Sequence, residues 1–449
     1  MRCAIITPIG PGHQELFARH CRPSVERAVG YSRGPFETIT LFAMDDGEGR
    51  HGRSNRRNAA IADALAQGIE WIFLLDADDE LAPNAFEAFG RCLAAEPQVD
   101  AVWGLICEIG PEGQPALRAD QPEALEGYAA FLATPPHLAV QIGGFIRTEA
   151  LACFGFDETM DTGEDYRLYL QLWGTCRCRK RPEIFFLNRR GHHSTGPRAA
   201  TGADWRGAVE RMWAAAVAAH PGPVWAEVRH AGLAARMRVT NPCDLIQRCH
   251  VEGRFFEETA LDRLRGLVAP GARIVEVGAN IGNHVVWYAQ HLAPRAILPV
   301  EPNPAAIALL EANIAANGLA PVIDRRGIGL GAGRAAGRYR AETADPDNLG
   351  ATTLVPDAGG DLAVVPLDAL LGQDRVDFIK IDAEGMEMEV LAGAAATIAR
   401  DRPVIWVETL RANILPFAQG WCRANGYGLA GSTAHVHTMD YVAVPMERA

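Results

Sequence analysis

Short apolar runs alternate with amphipathic segments through both halves of the chain. Runs of strand length lie at residues 3–7, 38–44, 71–75, 274–277, 296–300, 376–381 and 403–407. Between them, apolar residues recur with helical spacing at residues 15–29, 53–67 and 305–317. Because strands that alternate with helices form mostly parallel sheets, the pattern predicts an α/β protein of two doubly wound domains.

The length of 449 residues exceeds what one ordinary core accommodates. We expect one domain at residues 1–205 and a second at residues 245–449. Residues 206–244 are rich in Ala, Arg and Trp and are interpreted as a helical linker, with two helices flanking Pro221, Gly222 and Pro223.

The composition is that of a globular protein, with 48% hydrophobic and 22% charged residues. A net charge of −12 argues against a nucleic-acid partner. The densest basic run, residues 176–181, is interpreted as a solvated strand edge. No apolar stretch is long enough to span a bilayer and the N-terminus lacks a signal-peptide pattern, so a cytoplasmic location with reduced cysteines is expected, and peripheral membrane contact stays open.

Residues 273–286, RIVEVGANIGNHVV, read as a strand, a glycine turn and a helix, with Glu301 ending the next strand. This arrangement forms nucleotide pockets in doubly wound sheets. Glu276 at the mouth of the turn would repel a pyrophosphate but suits a cationic sulfonium, and Glu301 suits ribose hydroxyls. The predicted ligand is S-adenosylmethionine, and the alternative is a purely structural glycine turn.

Acidic residues follow two predicted strands of the first half, Asp45-Asp46 after one and Asp76-x-Asp78 after the other. Ligands bind at the carboxyl ends of parallel strands. Two carboxylates on a short turn can hold Mg²⁺ or Mn²⁺ with a nucleotide diphosphate, although acidic turns after strands are also common without a metal.

Five segments of the first half resemble family 2 glycosyltransferases of the GT-A fold, in the order and spacing of that family. They are AMDDGEG, RSNRRNAAI, WIFLLDADDEL, IGGFIRTEAL and GEDYRLYLQL. The resemblance implies inverting sugar transfer from a UDP- or GDP-type nucleotide sugar. It implies base contacts from Asp45 and Asp46, a metal and diphosphate site at Asp76 and Asp78, and Asp165 as the general base. His192 or His193 would lie near the diphosphate and metal. Residues 7–12 depart from the family's opening motif and lack its aromatic residue.

The second half resembles the FkbM family of S-adenosylmethionine-dependent methyltransferases. The segments that carry this resemblance are EGRFFEE, IVEVGANIGNHVVWYA, VEPNPAAIALLEANIAANG, NLGATTL, VPLDALL and VDFIKIDAEGMEMEVLAGA. It implies a Rossmann-like, seven-stranded sheet with an antiparallel final strand, and O-methylation, often of a sugar hydroxyl. The cofactor residues that it implies are Glu276, Gly278, Ala279, Asn280, Gly282, Glu301 and Asn303.

By the same resemblance, Asp382 and Glu384 face the methyl-transfer centre. Asp382 is the first candidate for the base that removes the hydroxyl proton and Glu384 the second. Lys380 is expected to point away from Asp382. His435 and His437 would lie on one face of a late strand as a metal pair, although a hairpin surface explains two such histidines more simply.

The sequence thus predicts a bifunctional enzyme that extends and methylates a glycan or a glycosylated metabolite. In the alternative, only the methyltransferase half is catalytic, and the first domain binds an acceptor or serves assembly.

Overall fold

Buried apolar runs form the central strands of both halves of the chain, as the alternating pattern predicts. The computed structural model describes residues 1–110, 113–189, 202–343, 345, 347–435 and 438–448. The chain divides into two compact units, Met1–Val224 and Trp225–Ala449. Each combines helices with mixed sheets that contain parallel strands, so the predicted α/β class is confirmed.

The first unit contains eleven strands in its described residues. They are β1 (Arg2–Ile9), β2 (Thr38–Asp45), β3 (Trp71–Leu74), β4 (Glu80–Leu81), β5 (Ala101–Trp103), β6 (Cys107–Ile109), β7 (Pro115–Leu117), β8 (Leu125–Glu126), β9 (Gly144–Arg147), β10 (Cys178–Lys180) and β11 (Phe186–Arg189). The main sheet has the order β2-β1-β3-β9-β5-β10-β8, and a smaller one has the order β4-β11-β6-β7. Strands β1, β2 and β3 are parallel, whereas β9 is antiparallel to its neighbours β3 and β5.

Helices of the first unit pack on this sheet. They are α1 (Gln14–Leu16), α2 (Arg22–Tyr31), α3 (Arg53–Ala66), α4 (Ala85–Ala95), α5 (Tyr128–Leu132), α6 (Pro136–Ala139), α7 (Thr148–Phe154), α8 (Glu164–Thr175) and α9 (Gly202–Ala219). One face of the sheet carries a cluster of buried phenylalanines in which the rings of Phe89 and Phe145 stack 4.3 Å apart. Burial of such rings supplies much of the free energy that fixes the sheet.

The second unit begins with a hairpin and continues into a parallel sheet. Its strands are β12 (Val224–His230), β13 (Leu233–Val239), β14 (Arg273–Val277), β15 (Ala296–Val300), β16 (Leu330–Ala332), β17 (Gly337–Thr343), β18 (Thr352–Pro356), β19 (Leu362–Val365), β20 (Phe378–Ile381), β21 (Val404–Leu410), β22 (Tyr427–Ala434) and β23 (Thr438–Pro445). Its helices are α10 (Leu245–Val251), α11 (Glu258–Arg263), α12 (Asn283–His291), α13 (Pro304–Ala316), α14 (Leu367–Leu371), α15 (Glu387–Gly393), α16 (Ala395–Asp401) and α17 (Cys422–Asn425).

The main sheet of the second unit has six strands in the order β15-β14-β20-β21-β23-β22, with β23 antiparallel between β21 and β22. The seventh strand that the resemblance implied is reduced to two isolated parallel bridges, Ile297 to Ile323 and Glu301 to Ile328. A separate sheet of four strands has the order β16-β19-β17-β18.

The linker prediction is wrong in its second half. Residues 206–219 are helical in α9, but residues 224–239 form the β12–β13 hairpin. The reason is visible in the burial of β12, where Val224, Ala226 and Val228 are buried and the residues between them are more exposed. That period of two is the mark of a strand with one buried face.

The prediction of a solvated edge at residues 176–181 is also wrong. Strand β10 lies inside the main sheet, between β5 and β8, and the side chains of Cys178 and Lys180 are buried. The Lys180 Nζ donates to Gln121 Oε1 at 3.1 Å and to the Leu138 carbonyl at 2.9 Å. Burial, aided by the charge of Arg118, lowers the Lys180 pKa from its ordinary value to about 7.

No helix in the described part of the chain has both the length and the apolar character to cross a membrane.

The chain contains only two lysines, Lys180 and Lys380. Labelling lysine side chains with ¹³C should therefore give two resolvable NMR signals, and we expect the Lys180 signal to titrate near pH 7, because burial disfavours its charged form. The loss of one signal in Lys180→Met assigns it. A Lys180 signal that titrates only near its ordinary value of 10.5 would contradict the prediction.

The same shift makes stability depend on pH. Between pH 7 and 10.5 the unfolded chain binds a proton on Lys180 that the folded chain does not, so the free energy of unfolding should rise with pH across this window. Urea unfolding at pH 7 and pH 9 should show a smaller rise for Lys180→Met than for the wild type.

Candidate functional site

The carboxyl ends of β1, β2 and β3 open into a cavity of about 440 Å³ in the first unit. Its lining includes Pro8 and Ile9 from the end of β1, Asp46 after β2, Asp76 and Asp78 after β3, and residues 52–57 at the start of α3. The ends of parallel strands are where ligands bind in such sheets, and the acidic residues predicted from sequence gather there.

Asp46 shapes the loop that leads into α3. Its carboxylate accepts hydrogen bonds from the backbone N–H groups of Arg50, His51 and Gly52, the last at 2.7 Å. Burial would raise the Asp46 pKa, but these donors outweigh it and lower the pKa below its usual value. Asp45, in contrast, is exposed and accepts the Gly47 N–H at 3.1 Å.

Three carboxylates, those of Asp76, Asp78 and Asp79, each place an oxygen within 4.8 Å of the others. The side chain of Asp79 is buried and accepts hydrogen bonds from the Asn188 amide and the Arg189 N–H, both at 3.0 Å. Burial and the charges of Asp78 and Asp76 raise the Asp79 pKa well above its usual value. Concentrated negative charge of this kind attracts a divalent cation with oxygen ligands.

Two arginines of α3 bridge the acidic turn to α8. Arg57, which is only 3% exposed, donates to Asp76 Oδ1 and lies 3.7 Å from Glu164 Oε1. Arg53 binds both oxygens of Glu164, at 2.5 and 3.0 Å. Sequence analysis missed both arginines and Asp79, although the spacing of four residues between the arginines already placed them on one face of a helix.

Asp165 opens into a second cavity of about 210 Å³, which Asp76, Asp79 and Trp205 also line. The structure therefore brings the predicted base and the predicted metal site together. Burial and the neighbouring Glu164 raise the Asp165 pKa to about 6. His192 and His193 lie outside the described residues.

In the second unit, a cavity of about 210 Å³ lies over the carboxyl ends of β14, β15, β20 and β21. The turn after β14 forms its floor. Gly278 has φ +80°, and a Cβ at this position would overlap the carbonyl oxygen of Asp382. Gly282 has φ +82°, and a Cβ there would contact Leu310 Cδ1 at 2.7 Å. Only glycine permits this close approach of the turn to β20 and α13.

Glu301 is 6% exposed and fixes the turn from the side of β15. Its carboxylate accepts the N–H of Asn280 at 2.7 Å and that of Asn303 at 2.8 Å. Burial raises the Glu301 pKa to about 7, although the two donors act in the opposite direction. The Asn280 Oδ1 is buried without a hydrogen-bond partner among the described residues, and the Asn303 side chain caps α13 through the Ala305 N–H.

Glu276 is 1% exposed and pairs with a histidine that sequence analysis missed. The His284 Nδ1 lies 3.0 Å from Glu276 Oε1, and its Nε2 lies 3.2 Å from Glu257 Oε2. Burial would lower the His284 pKa, but the two carboxylates raise it to about 9. The second oxygen of Glu276 is buried and has no hydrogen-bond partner within the described parts of the chain.

Lys380 contradicts the expectation that it points away from Asp382. Its Nζ lies 2.8 Å from Asp382 Oδ2, because residues two apart on a strand project to the same face. The side chain is only 1% exposed and its ammonium lies 5.1 Å from the centre of the Trp406 ring. Burial would lower the Lys380 pKa, but Asp382, Glu257, Asp440 and Glu408 together raise it.

Two further carboxyl groups line this cavity, and both have pKa values raised into the neutral or weakly basic range. Burial and the charge of Asp382 raise the pKa of Glu384 to about 7 and that of Glu408 to about 9. Glu384 adopts φ +46°, an uncommon conformation for a residue with a side chain. The place of Glu408 beside Asp382 depends on the pairing of β20 with β21, which aligns the ends of these two strands.

The sequence pattern of the Methyltransferase FkbM domain matches residues 276–438. No curated protein matches the chain. Among solved structures, Staphylococcus aureus TarS is 13% identical, with 49% of this chain and 40% of TarS covered and a TM-score of 0.36. The M. jannaschii tRNA m1G37 methyltransferase is 12% identical, with 51% of this chain and 56% of that chain covered and a TM-score of 0.30.

A third structure, M. jannaschii TYW2 in complex with AdoMet, is 13% identical, with 50% of this chain and 86% of that chain covered and a TM-score of 0.28. The chain thus spans less than two thirds of the TarS and tRNA m1G37 methyltransferase structures, and similarity at this level assigns no activity. The match to the domain pattern is the specific finding: residues 276–438 are a methyltransferase domain of the FkbM family.

Proposed function

We propose that the second unit binds S-adenosylmethionine and methylates a hydroxyl group of a sugar. The observation that carries this proposal is the cavity above the Gly278–Gly282 turn, where the carboxylates of Glu276, Glu301 and Asp382 meet. A cavity lined by carboxylates favours a cationic ligand, and the sulfonium and amino groups of this cofactor are cationic.

The residues present fit the cofactor. Glu276 Oε2 and Asn280 Oδ1 are buried acceptors whose partners are missing among the described residues, and buried polar atoms normally have one. Glu301 is held by two backbone N–H groups, which leave the outer lone pairs of its oxygens for ribose hydroxyls. Gly278 keeps the turn free of a side chain.

When bound, S-adenosylmethionine supplies an activated methyl group, so the protein needs chiefly to align an acceptor oxygen and remove its proton. Glu384 suits the role of base, because its pKa of about 7 matches neutral pH. One oxygen of Asp382 accepts a hydrogen bond from Lys380, which fixes the carboxylate, so Asp382 would orient the acceptor hydroxyl. This assignment reverses the order of preference drawn from sequence.

We also propose that the first unit binds a UDP- or GDP-type nucleotide sugar with Mn²⁺ or Mg²⁺ and transfers the sugar with inversion. Asp76 and Asp78 would hold the metal and diphosphate, Asp45 and Asp46 would lie near the base, and Asp165 would deprotonate the acceptor. The shared cavity of Asp76 and Asp165 supports this arrangement. The whole chain would then extend and methylate one glycan or glycosylated metabolite in the cytoplasm.

One observation favours the alternative, in which the first unit binds an acceptor without catalysing transfer. Among the described residues, no Phe, Tyr or Trp lines the larger cavity, and the rings offered to a nucleotide base are the smaller imidazoles of His13 and His51. The guanidinium of Arg57 also donates a hydrogen bond to Asp76 Oδ1, an oxygen that would otherwise be available to bind a metal.

Cofactor binding is tested by calorimetry with S-adenosylhomocysteine. We expect Glu301→Ala to weaken binding at least about tenfold, because the variant loses both the ribose acceptor and the support of the turn. The matched control is Glu311→Ala, since Glu311 lies on α13 and pairs with Arg325. Equal affinity in Glu301→Ala and the wild type would contradict the proposed site.

The base is tested by transfer of a radiolabelled methyl group to a panel of free and nucleotide-linked sugars. We expect the wild-type rate to rise with pH through about pH 7, because Glu384 accepts a proton only when ionised. Glu384→Gln should lower kcat by about 10²-fold or more and leave cofactor binding unchanged. The control Glu389→Gln changes a carboxylate that pairs with Arg334. A Glu384→Gln enzyme with the wild-type pH profile would exclude this residue as the base.

The first unit is tested by thermal unfolding with UDP or GDP, each with and without Mn²⁺. A ligand that binds only the native state raises the melting temperature, so we expect a Mn²⁺-dependent shift that Asp78→Asn abolishes. Asp165→Asn should keep the shift and lose hydrolysis and transfer of the nucleotide sugar. A shift without any turnover in the wild type would favour the acceptor-binding alternative.

A further inference from the structure

Three side chains beside the methyltransferase cavity come together from distant parts of the second unit. Glu257 precedes α11, His435 follows β22, and Asp440 lies in β23. One ligand atom from each lies within 4.8 Å of the other two. We propose that Glu257, His435 and Asp440 bind a divalent first-row transition-metal ion.

The distances match a metal polyhedron. The His435 Nε2 lies 3.0 Å from Asp440 Oδ2 and 3.6 Å from Glu257 Oε1. Ligands about 2.1 Å from a tetrahedral ion are roughly 3.4 Å apart, so small shifts of these side chains would place all three around one ion. The only predicted metal residue here was His435; its sequence partner His437 lies outside the described residues.

Asp440 provides an independent indication of a ligand. The side chain is 4% exposed, and its Oδ1 has no hydrogen-bond partner in the described part of the protein. A buried carboxylate oxygen without a partner is costly, and a metal ion would satisfy it. The side chain of Glu257 is 8% exposed, with Oε2 3.2 Å from the His284 Nε2 and Oε1 3.6 Å from the His435 Nε2.

The surrounding charge also favours a cation. Glu257, Asp440, Asp382 and Glu408 all act on the buried ammonium of Lys380, and His284 is shared between Glu257 and Glu276. Even with Glu408 protonated, four carboxylates face two cationic side chains, so negative charge exceeds positive charge with Lys380 in place. A divalent cation would offset that excess in a region where charge is poorly solvated.

The donor set selects the kind of ion. One imidazole and two carboxylates suit Mn²⁺, Fe²⁺, Co²⁺ or Zn²⁺ better than Mg²⁺ or Ca²⁺, which prefer oxygen ligands alone. Three protein ligands leave a position for water, as in catalytic zinc sites. The site adjoins the cavity, because Asp440 lies opposite Glu408 in the pairing of β21 with β23.

The test is a titration of the full, chelator-treated chain with Co²⁺, followed by visible absorption and by metal analysis after gel filtration. Asp78→Asn serves as the background, so that a metal in the first unit does not contribute. We expect one equivalent of Co²⁺ in this background, with an absorption spectrum that reports nitrogen ligation.

His435→Gln in the same background should lose that equivalent or bind it at least about tenfold more weakly. The control is His230→Gln, because the two nitrogens of His230 face different carboxylates, Glu258 and Asp262. Circular dichroism shows whether His435→Gln folds. If it does not, Asp440→Asn replaces it, and the same loss or weakening of Co²⁺ binding is expected. Undiminished Co²⁺ binding in folded His435→Gln or Asp440→Asn, or no binding in the Asp78→Asn background, would overturn the proposal.

Discussion

The ion pair between buried Lys380 and Asp382 is the interaction on which the methyltransferase site depends. Parallel strands bring their carboxyl ends together, and here those ends carry Glu276, Asp382 and Glu408. Without a cation among them, these carboxylates would repel one another in a poorly solvated region. Lys380 supplies a fixed positive charge from inside β20, which holds Asp382 in a defined position. Glu384, two residues further along the chain, has a pKa raised to about 7 and can exchange a proton near neutral pH.

The first unit meets the same constraint in a different way. Its acidic turn carries Asp76, Asp78 and Asp79, and its cation comes from a helix, as the guanidinium of Arg57. Arg57 also approaches Glu164, the residue before the proposed base. A metal that enters this turn must therefore compete with Arg57 for Asp76, and release of that arginine would change the charge around Asp165. In both units a cationic side chain of the protein thus offsets part of the negative charge at the strand ends.

The sequence was sufficient to predict the α/β class, the strand ends that carry the acidic residues and the glycine turn over β14. These features depend on local sequence pattern, since hydrophobic periodicity and glycine positions can be recognised within a window of about fifteen residues. The partners of the acidic residues could not be read in this way: Arg57 meets Asp76 and Glu164 only after folding. The predicted orientation of Lys380 was wrong for a simpler reason. Residues two apart on a strand project to the same face, so Lys380 and Asp382 should have been expected on one side of β20.

Two wrong predictions of secondary structure and exposure came from relying on local composition. The basic run that contains Lys180 suggested an exposed edge, yet the order of the main sheet buries it, and sheet order is a property of the whole fold. Likewise, the alanine-rich residues 224–239 suggested a helix, whereas the alternating burial of β12 shows a strand. In both places the local residue types were weak signals and tertiary packing decided the outcome. His284, which escaped prediction, and Lys380, whose orientation was mispredicted, are buried ionisable groups whose contacts follow from their three-dimensional neighbours. A charge inside a protein is stable only where its partners surround it, so the ion pairs of such residues are informative places to look for a functional site.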